Sequence, residues 1–242
     1  MVKKKKSGTG AAILIIILIA AMFFVGYTYF RVARIEVEGN ENVEASYIAE
    51  LSGVELDENL FAIDKNKVKQ YINSDPYLEY FDLKRIYPSA VRIEVYERIP
   101  AAAIEGKQGF YVVDKEGYVL ERLSDSPSDM VLVEGMALLT AYEGRKIEPE
   151  NAYDFNALVT LLKDVKYNEL AEMVTEMNFS DINNITMRAG NGFTIEFGQP
   201  EMISEKVTWI LAVAERLEQE NIYSGVINVV AGSTATYREI ED

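Results

Sequence analysis

Residues Tyr80–Pro100, YFDLKRIYPSAVRIEVYERIP, decide how the chain is read. Two extended runs, Tyr80–Ile86 and Ala90–Glu97, flank the turn signal Tyr87-Pro88-Ser89, a pattern that predicts paired strands. In the second run Val91, Ile93 and Val95 share one side while Arg92, Glu94 and Tyr96 share the other. That period of two belongs to a strand with one buried face. Pro100 closes the unit.

Upstream, Arg34–Glu38 alternates Ile35 and Val37 with Glu36 and Glu38, a further strand, and Gly39-Asn40 punctuates the chain. A short helix follows, with Ile48 and Leu51 on one side and Gly53 at C′. Asp64 is the expected N-cap of a second helix, in which Val68, Tyr71 and Ile72 share a face. The order is strand, helix, helix, strand, strand. Its length of about 65 residues is near the lower limit for a self-supporting core.

Before this unit lies Ala11–Phe30, AAILIIILIAAMFFVGYTYF, a run without a charge. At about 1.5 Å per residue it spans roughly 30 Å, the thickness of a bilayer's hydrocarbon core. Tyr27, Tyr29 and Phe30 stand at its end, where aromatic side chains favour the headgroup zone. The run has no polar face, unlike a surface helix, and no convincing small-x-small cleavage site, since Ala20-Ala21 is followed by more apolar residues, unlike in a signal peptide. It is expected to be an uncleaved transmembrane helix at residues 11–30. Lys3, Lys4, Lys5 and Lys6 precede it, against Arg31 and Arg34 behind it. This bias predicts a single-pass type II protein of the cell membrane, with a cytoplasmic tail at residues 1–10 and an extracytoplasmic Arg31–Asp242.

Beyond Pro100 the pattern shifts toward strands. Gly109–Val113 and Tyr118–Glu121 flank the hairpin signal Asp114-Lys-Glu-Gly117, and Met130–Val133 is a short apolar run after the polar loop Ser124–Asp129. Two long helices are expected. One is Pro149–Val165, with a stripe of Phe155, Leu158, Val159, Leu162 and Val165. The other is Glu201–Glu220, with Ile203, Val207, Ile210, Leu211, Ala214 and Leu217. Between them Ile185–Arg188 pairs with Phe193–Phe197 across Ala189-Gly-Asn-Gly192. Gly225–Val230 and Thr234–Glu239, joined by Ala231-Gly232-Ser233, close the chain. The fold class is therefore an α+β ectodomain on one transmembrane helix. Residues 31–99 form a β-α-α-β-β module, and residues 100–242 a mixed β-sheet domain with two long helices.

Composition narrows the function. The 242 residues carry 24 basic and 39 acidic side chains, a net charge of −15, and no acid precedes Glu36. The ectodomain is thus more acidic than the whole, and such a surface repels the phosphate backbone of nucleic acid. Neither Cys nor His occurs, which removes Ser-His-Asp and Cys-His catalysis, disulfides and the usual zinc ligand sets. There is no calcium loop, no Ser-x-x-Lys motif and no phosphate-cradling glycine loop. Asp57-Glu58 and the Glu239, Glu241 pair read as solvated acids, Asp181-Ile-Asn-Asn184 as a turn, and Trp209 as a partly buried core residue. No catalytic residue, cofactor, metal or small-molecule substrate is expected, and the protein is read as not an enzyme.

Four segments carry a family resemblance: Arg34-Ile-Glu-Val-Glu-Gly-Asn40, Leu56-Asp-Glu-Asn-Leu-Phe61, Leu83-Lys-Arg-Ile-Tyr-Pro88 and Val91-Arg-Ile-Glu-Val-Tyr-Glu-Arg-Ile-Pro100. In order and spacing, next to a membrane anchor, they resemble a POTRA domain of the kind found in the FtsQ/DivIB bacterial cell-division proteins. The segment Gly192-Phe-Thr-Ile-Glu-Phe-Gly198, the helix carrying Lys206 and the two closing strands resemble the distal domain of that family. One departure is Ile227-Asn-Val-Val230, where many members carry an Asp-Leu-Arg-like sequence. The resemblance implies a scaffold of the division septum that binds FtsB/DivIC-like and FtsL-like single-pass partners and helps assemble and regulate septal peptidoglycan synthesis.

The last strand of a sheet leaves one row of N–H and C=O groups unpaired, and such an edge accepts another chain by strand addition. The expected partner edge is Gly225–Val230 with Thr234–Glu239. Its expected binding residues are Val229, Val230, Thr234, Thr236, Tyr237, Arg238 and Glu239, with Tyr237 and Arg238 as side-chain anchors. The competing function is a POTRA-type extracytoplasmic chaperone or polypeptide-translocation factor that binds extended peptides through the edges of the proximal module.

Overall fold

The computed structural model describes residues 9–230 and 234–240, which fall into two units, Met1–Glu97 and Arg98–Asp242. The Lys3–Lys6 segment, the joining residues Ala231-Gly232-Ser233 and Glu241 lie outside the described residues.

In the first unit the apolar run forms α1, Thr9–Tyr29. Its 18 residues Ala12–Tyr29 are long and apolar enough to cross a membrane, and none is buried by the rest of the chain. Then come β1 (Arg34–Glu38), α2 (Ala45–Leu51), α3 (Lys65–Ile72), β2 (Leu78–Ile86) and β3 (Ala90–Glu97). The sheet order is β1-β3-β2, with β1 parallel and β2 antiparallel to the central β3. Strands β1 and β3 have the bounds their alternation predicts, and β2 starts two residues earlier, at Leu78. Asp64 caps α3, its side chain accepting from the Asn66 N–H at 2.9 Å. Ile48, Val68, Ile72, Leu83, Val91 and Ile93 pack between the helices and the sheet.

Two residues close the corner after β1. Gly39 has φ +96°, and a Cβ there would run into the Val95 carbonyl oxygen, so only glycine fits. Glu97, 7% exposed, gathers the next loop. Its carboxylate accepts from the N–H groups of Glu41 (2.7 Å), Asn42 (3.0 Å) and Val43 (3.1 Å), and from the Asn42 side chain (2.9 Å). Burial alone would raise its pKa, but these donors outweigh it and hold the carboxyl below its ordinary value.

The second unit contains β4 (Ala102–Gly106), β5 (Gly109–Val113), β6 (Val119–Leu123), β7 (Leu132–Glu134), β8 (Leu138–Thr140), β9 (Glu148–Pro149), α4 (Ala152–Leu162), α5 (Tyr167–Met173), β10 (Val174–Asn178), β11 (Ile185–Ala189), β12 (Phe193–Gly198), α6 (Ile203–Gln219), β13 (Gly225–Asn228) and β14 (Thr236–Arg238). A nine-stranded mixed sheet runs β14-β13-β12-β11-β10-β7-β4-β5-β6, and β8 pairs with β9 apart from it. One apolar row crosses the sheet in register: Tyr111, Ile104, Val133, Met177, Met187, Ile195, Ile227 and, at the end, Tyr237. These side chains belong to the core that also takes in Phe155, Leu158, Leu161, Val207 and Ile210 from α4 and α6. Each large apolar side chain so buried contributes about 1.5–3 kcal/mol. On the opposite face, Thr194, Glu196, Asn228, Thr236 and Arg238 keep contact with solvent.

Several expected bounds are corrected. Pro149 does not begin a helix: it pairs with Leu138 in β9, and α4 starts after Asn151, whose side chain accepts from the Tyr153 N–H at 2.9 Å. An Asn cap with Asp154 in the first turn outweighs the proline signal. Val165, 94% exposed, lies beyond that helix and outside its stripe. Strand β6 begins at Val119 and not Tyr118, because the Tyr118 N–H donates to the Asp114 carboxylate at 2.8 Å. The second long helix is trimmed to Ile203–Gln219, and its Leu211 and Ala214 are only partly buried. Asp181-Ile-Asn-Asn184 is the expected turn, closed by the Asn184 N–H donating to the Asp181 carbonyl at 2.9 Å. Trp209 is half-buried against the core.

Asp114 also anchors the start of the distal unit. Arg98 donates to it at 2.6 Å with both side chains buried, and the guanidinium lies 3.8 Å over the centroid of the Tyr118 ring. Asp114→Ala removes this buried ion pair together with the carboxylate's bonds to the Glu116 and Tyr118 N–H groups, and is expected to destabilise the distal unit by about 3–5 kcal/mol in urea unfolding. Glu97→Gln keeps the shape but loses the charge-assisted bonds, a cost of about 1.5–3 kcal/mol at neutral pH. A carboxyl with a lowered folded pKa contributes stability that is complete above its unfolded value and is lost as pH falls through the folded one. Urea midpoints of wild type and Glu97→Gln are therefore expected to differ at neutral pH and to converge below the ordinary carboxylate range.

Candidate functional site

The distal sheet ends at β14. On one side it pairs antiparallel with β13, in the register Val226↔Arg238, Ile227↔Tyr237, Asn228↔Thr236. On its other side no strand pairs with it among the described residues. Three residues of extended backbone thus keep one hydrogen-bonding edge open.

The ribbon is shorter than its sequence predicts: Gly225–Val230 is reduced to Gly225–Asn228, and Thr234–Glu239 to Thr236–Arg238. Asn228 is the physical reason. Its Oδ1 accepts from the Val230 N–H at 3.1 Å, a local turn that carries the chain out of the ladder. Its Nδ2 binds Glu196, on the neighbouring β12, which fixes that side chain in place.

The seven expected binding residues separate by environment. Val229 is fully buried, and its N–H donates to the Glu196 carbonyl at 3.0 Å, so its side chain belongs to the core and offers nothing to a partner. Val230 is 46% exposed. Thr234 and Glu239 are exposed and lie outside the strand; Thr236 and Arg238 are exposed within it. Arg238 pairs with Glu196 at 2.9 Å on the solvent face. Tyr237 turns the other way. Its hydroxyl donates to the Ser224 carbonyl at 3.0 Å, and its ring meets Phe193 edge-on with centroids 6.4 Å apart. Tyr237 therefore clamps β14 to the sheet with part of its side chain, and Arg238 is the more available of the two expected anchors.

Glu196, Ser224, Phe193 and Asn228 are the supporting residues that sequence reasoning missed. The outward place of Glu196 between Ile195 and Phe197 was its one visible signal. Lys206 adds a further support: buried to 2% exposure, it donates from Nζ to the carbonyls of Phe197 and Gln199, both at 2.8 Å, and so ties α6 to the end of β12. Burial pushes its pKa down, with Glu201 opposing. Across the solvent face, burial and then the Glu176 and Glu105 carboxylates push the Glu134 carboxyl up. No cluster of metal-ligating side chains occurs among the described residues. At the ribbon's two ends Val230 and Ile240, the latter 57% exposed, present apolar surface. What the arrangement offers is backbone hydrogen bonding flanked by small apolar contacts.

An apolar N-terminal helix, a β-α-α-β-β module and a mixed distal sheet with an open edge define a class of anchored, two-module protein. Residues 30–98 match the family POTRA domain, FtsQ-type, and residues 102–230 match Cell division protein FtsQ/DivIB, C-terminal. The chain is 26% identical to Cell division protein DivIB of Clostridium tetani over 84% of this chain and 77% of that protein. It is 26% identical to the DivIB of Clostridium acetobutylicum over 74% of this chain and 71% of that one. To Cell division protein FtsQ of Corynebacterium glutamicum it is 27% identical, over 77% and 79% of the two chains. The chain belongs to the FtsQ/DivIB family of cell-division proteins.

The two anchors predict different outcomes. Tyr237→Ala removes a hydrogen bond and an aromatic pair and is expected to cost about 1–3 kcal/mol in unfolding of the ectodomain. Arg238→Ala removes a solvent-facing ion pair and is expected to cost less than about 1 kcal/mol. Hydrogen exchange at Val226 and Asn228 should quicken in the first variant and stay near wild type in the second.

Proposed function

We propose that the protein is a non-catalytic, membrane-anchored scaffold of the bacterial division machinery, with its N-terminus in the cytoplasm and Arg31–Asp242 outside, at the septum. In this reading residues 31–99 are a POTRA module and residues 100–242 hold FtsB/DivIC-like and FtsL-like partners, which helps assemble and regulate septal peptidoglycan synthesis. The partner strand adds to the open edge of β14, extending the nine-stranded sheet by main-chain hydrogen bonds. The observation that carries the reading is the terminal place of β14, with one edge unpaired among the described residues. The exposed Thr236 and Arg238 side chains, together with Val230 and Ile240, would then set which strand is accepted.

Deleting Ser233–Asp242 removes β14 whole. The truncated ectodomain is expected to keep its circular dichroism and cooperative melt while losing capture of the DivIC-like ectodomain in a pull-down. Photo-crosslinkers at Thr236 and Arg238 in dividing cells should trap the same partner, identified by mass spectrometry. A folded truncation that binds undiminished removes the assignment.

A further inference from the structure

The passage from α1 into the proximal module contains no linker. The Tyr27 carbonyl accepts from the Asn59 side chain at 2.8 Å, and the Phe30 carbonyl from the Leu60 N–H at 2.9 Å. Val32 donates to the Glu58 carbonyl and accepts from the Asp57 N–H, both at 2.8 Å. Ala33 donates to the Ser89 carbonyl at 2.7 Å. Residues 27–33 are thus bonded on one side to the loop Asp57–Leu60 and on the other to the β2–β3 turn.

These bonds set a depth. An α-helix rises about 1.5 Å per residue, and the headgroup layer on each side of a bilayer is about 5–8 Å thick. If Tyr27, Tyr29 and Phe30 occupy that layer, the side chain bonded to the Tyr27 carbonyl and the residues beside it lie in the same layer. Beside the polar Asp57, Glu58 and Asn59, the large side chains there are apolar or aromatic. Phe30 packs edge-on against Phe61 and Tyr87, with centroids 5.5 and 5.7 Å away, and Phe61 lies 5.9 Å from Tyr87. After these contacts Phe61 is still 59% exposed, Tyr87 58% and Leu56 63%. Three bulky side chains from two loops extend the aromatic end of the span. In a water-facing module they form an uncovered patch, whereas rings with an apolar body and a polar tip favour the membrane interface. The charges nearby are of both signs, Arg31 and Arg34 against Asp57 and Glu58.

We infer that the proximal module seats directly on the bilayer, with Leu56, Phe61 and Tyr87 inserted among the lipids of the leaflet where α1 ends. The inference rests on the reading of α1 as a membrane span. It makes the membrane a second binding surface of the folded module, separate from the helix that tethers it. Phe81, 74% exposed, is the internal contrast. At about 3.3 Å per residue it lies roughly 16 Å along β2 from the turn and outside the seated surface.

The test uses the full chain in phosphatidylcholine nanodiscs, with Trp209→Phe removing the one native tryptophan. Single tryptophans are then placed by Phe61→Trp, Tyr87→Trp, Leu56→Trp, Phe81→Trp and Ile19→Trp. Lipids brominated near the glycerol are expected to quench the first three strongly and to leave Phe81→Trp bright, while acrylamide should do the reverse. Lipids brominated near the chain ends should quench Ile19→Trp. If the three loop positions behave like Phe81→Trp while Ile19→Trp is quenched, the seating is overturned and the span stands. If Ile19→Trp is not quenched either, the span fails and the seating with it.

Discussion

Cross-strand burial holds the distal unit together. The row from Tyr111 through Ile104, Val133, Met177, Met187, Ile195 and Ile227 to Tyr237 places one side chain from each of eight neighbouring strands against the next, all on the face that α4 and α6 cover. Because side chains alternate with period two, a one-residue slip anywhere would turn that strand's whole apolar set to water. The row fixes the register of these eight strands, including that of β14, whose Tyr237 is its last and least buried member. Edge strands are ordinarily the least secure part of a sheet, but this one is held by the same buried line as the centre.

The open edge is kept short by polar chemistry on the other face. Glu196 receives both Asn228 and Arg238, and Asn228 also turns the chain at Val230. A long flat edge invites indiscriminate pairing, and short edge strands with charges beside them limit it. Three residues of ladder supply few main-chain bonds, so in the proposed role selectivity rests with the side chains that flank them.

The sequence was most legible where one pattern acted alone. Arg34–Glu38 and Ala90–Glu97 alternate without interruption and became strands with those bounds, and Asp64 caps α3 through its own side chain. Legibility failed where two signals competed or none was strong. Pro149 reads as a helix start, but Asn151 captured the first free N–H groups. Ala102–Gly106 has a single bulky β-former, Ile104, and owes its strand to neighbours on both sides, β5 and β7. Tyr167–Met173 is too short for a helical stripe and is fastened by tertiary contacts, among them the Tyr167 hydroxyl donating to the Ala101 carbonyl at 2.6 Å. At the candidate edge the two strands were readable from their alternation. The truncation by Asn228, the inward turn of Tyr237 and the burial of Val229 depend on residues far away in the chain, above all Glu196 and Phe193.

The set of hydrogen bonds at Tyr27, Phe30, Val32 and Ala33 also has a mechanical meaning. A tether with slack would let the module swivel freely, whereas this junction passes torque. Any neighbouring helix that packs along α1 inside the bilayer selects its azimuth, and the proximal module must turn with it. Pairing among spans thereby sets the compass bearing of the module above, with no flexible joint to average it away.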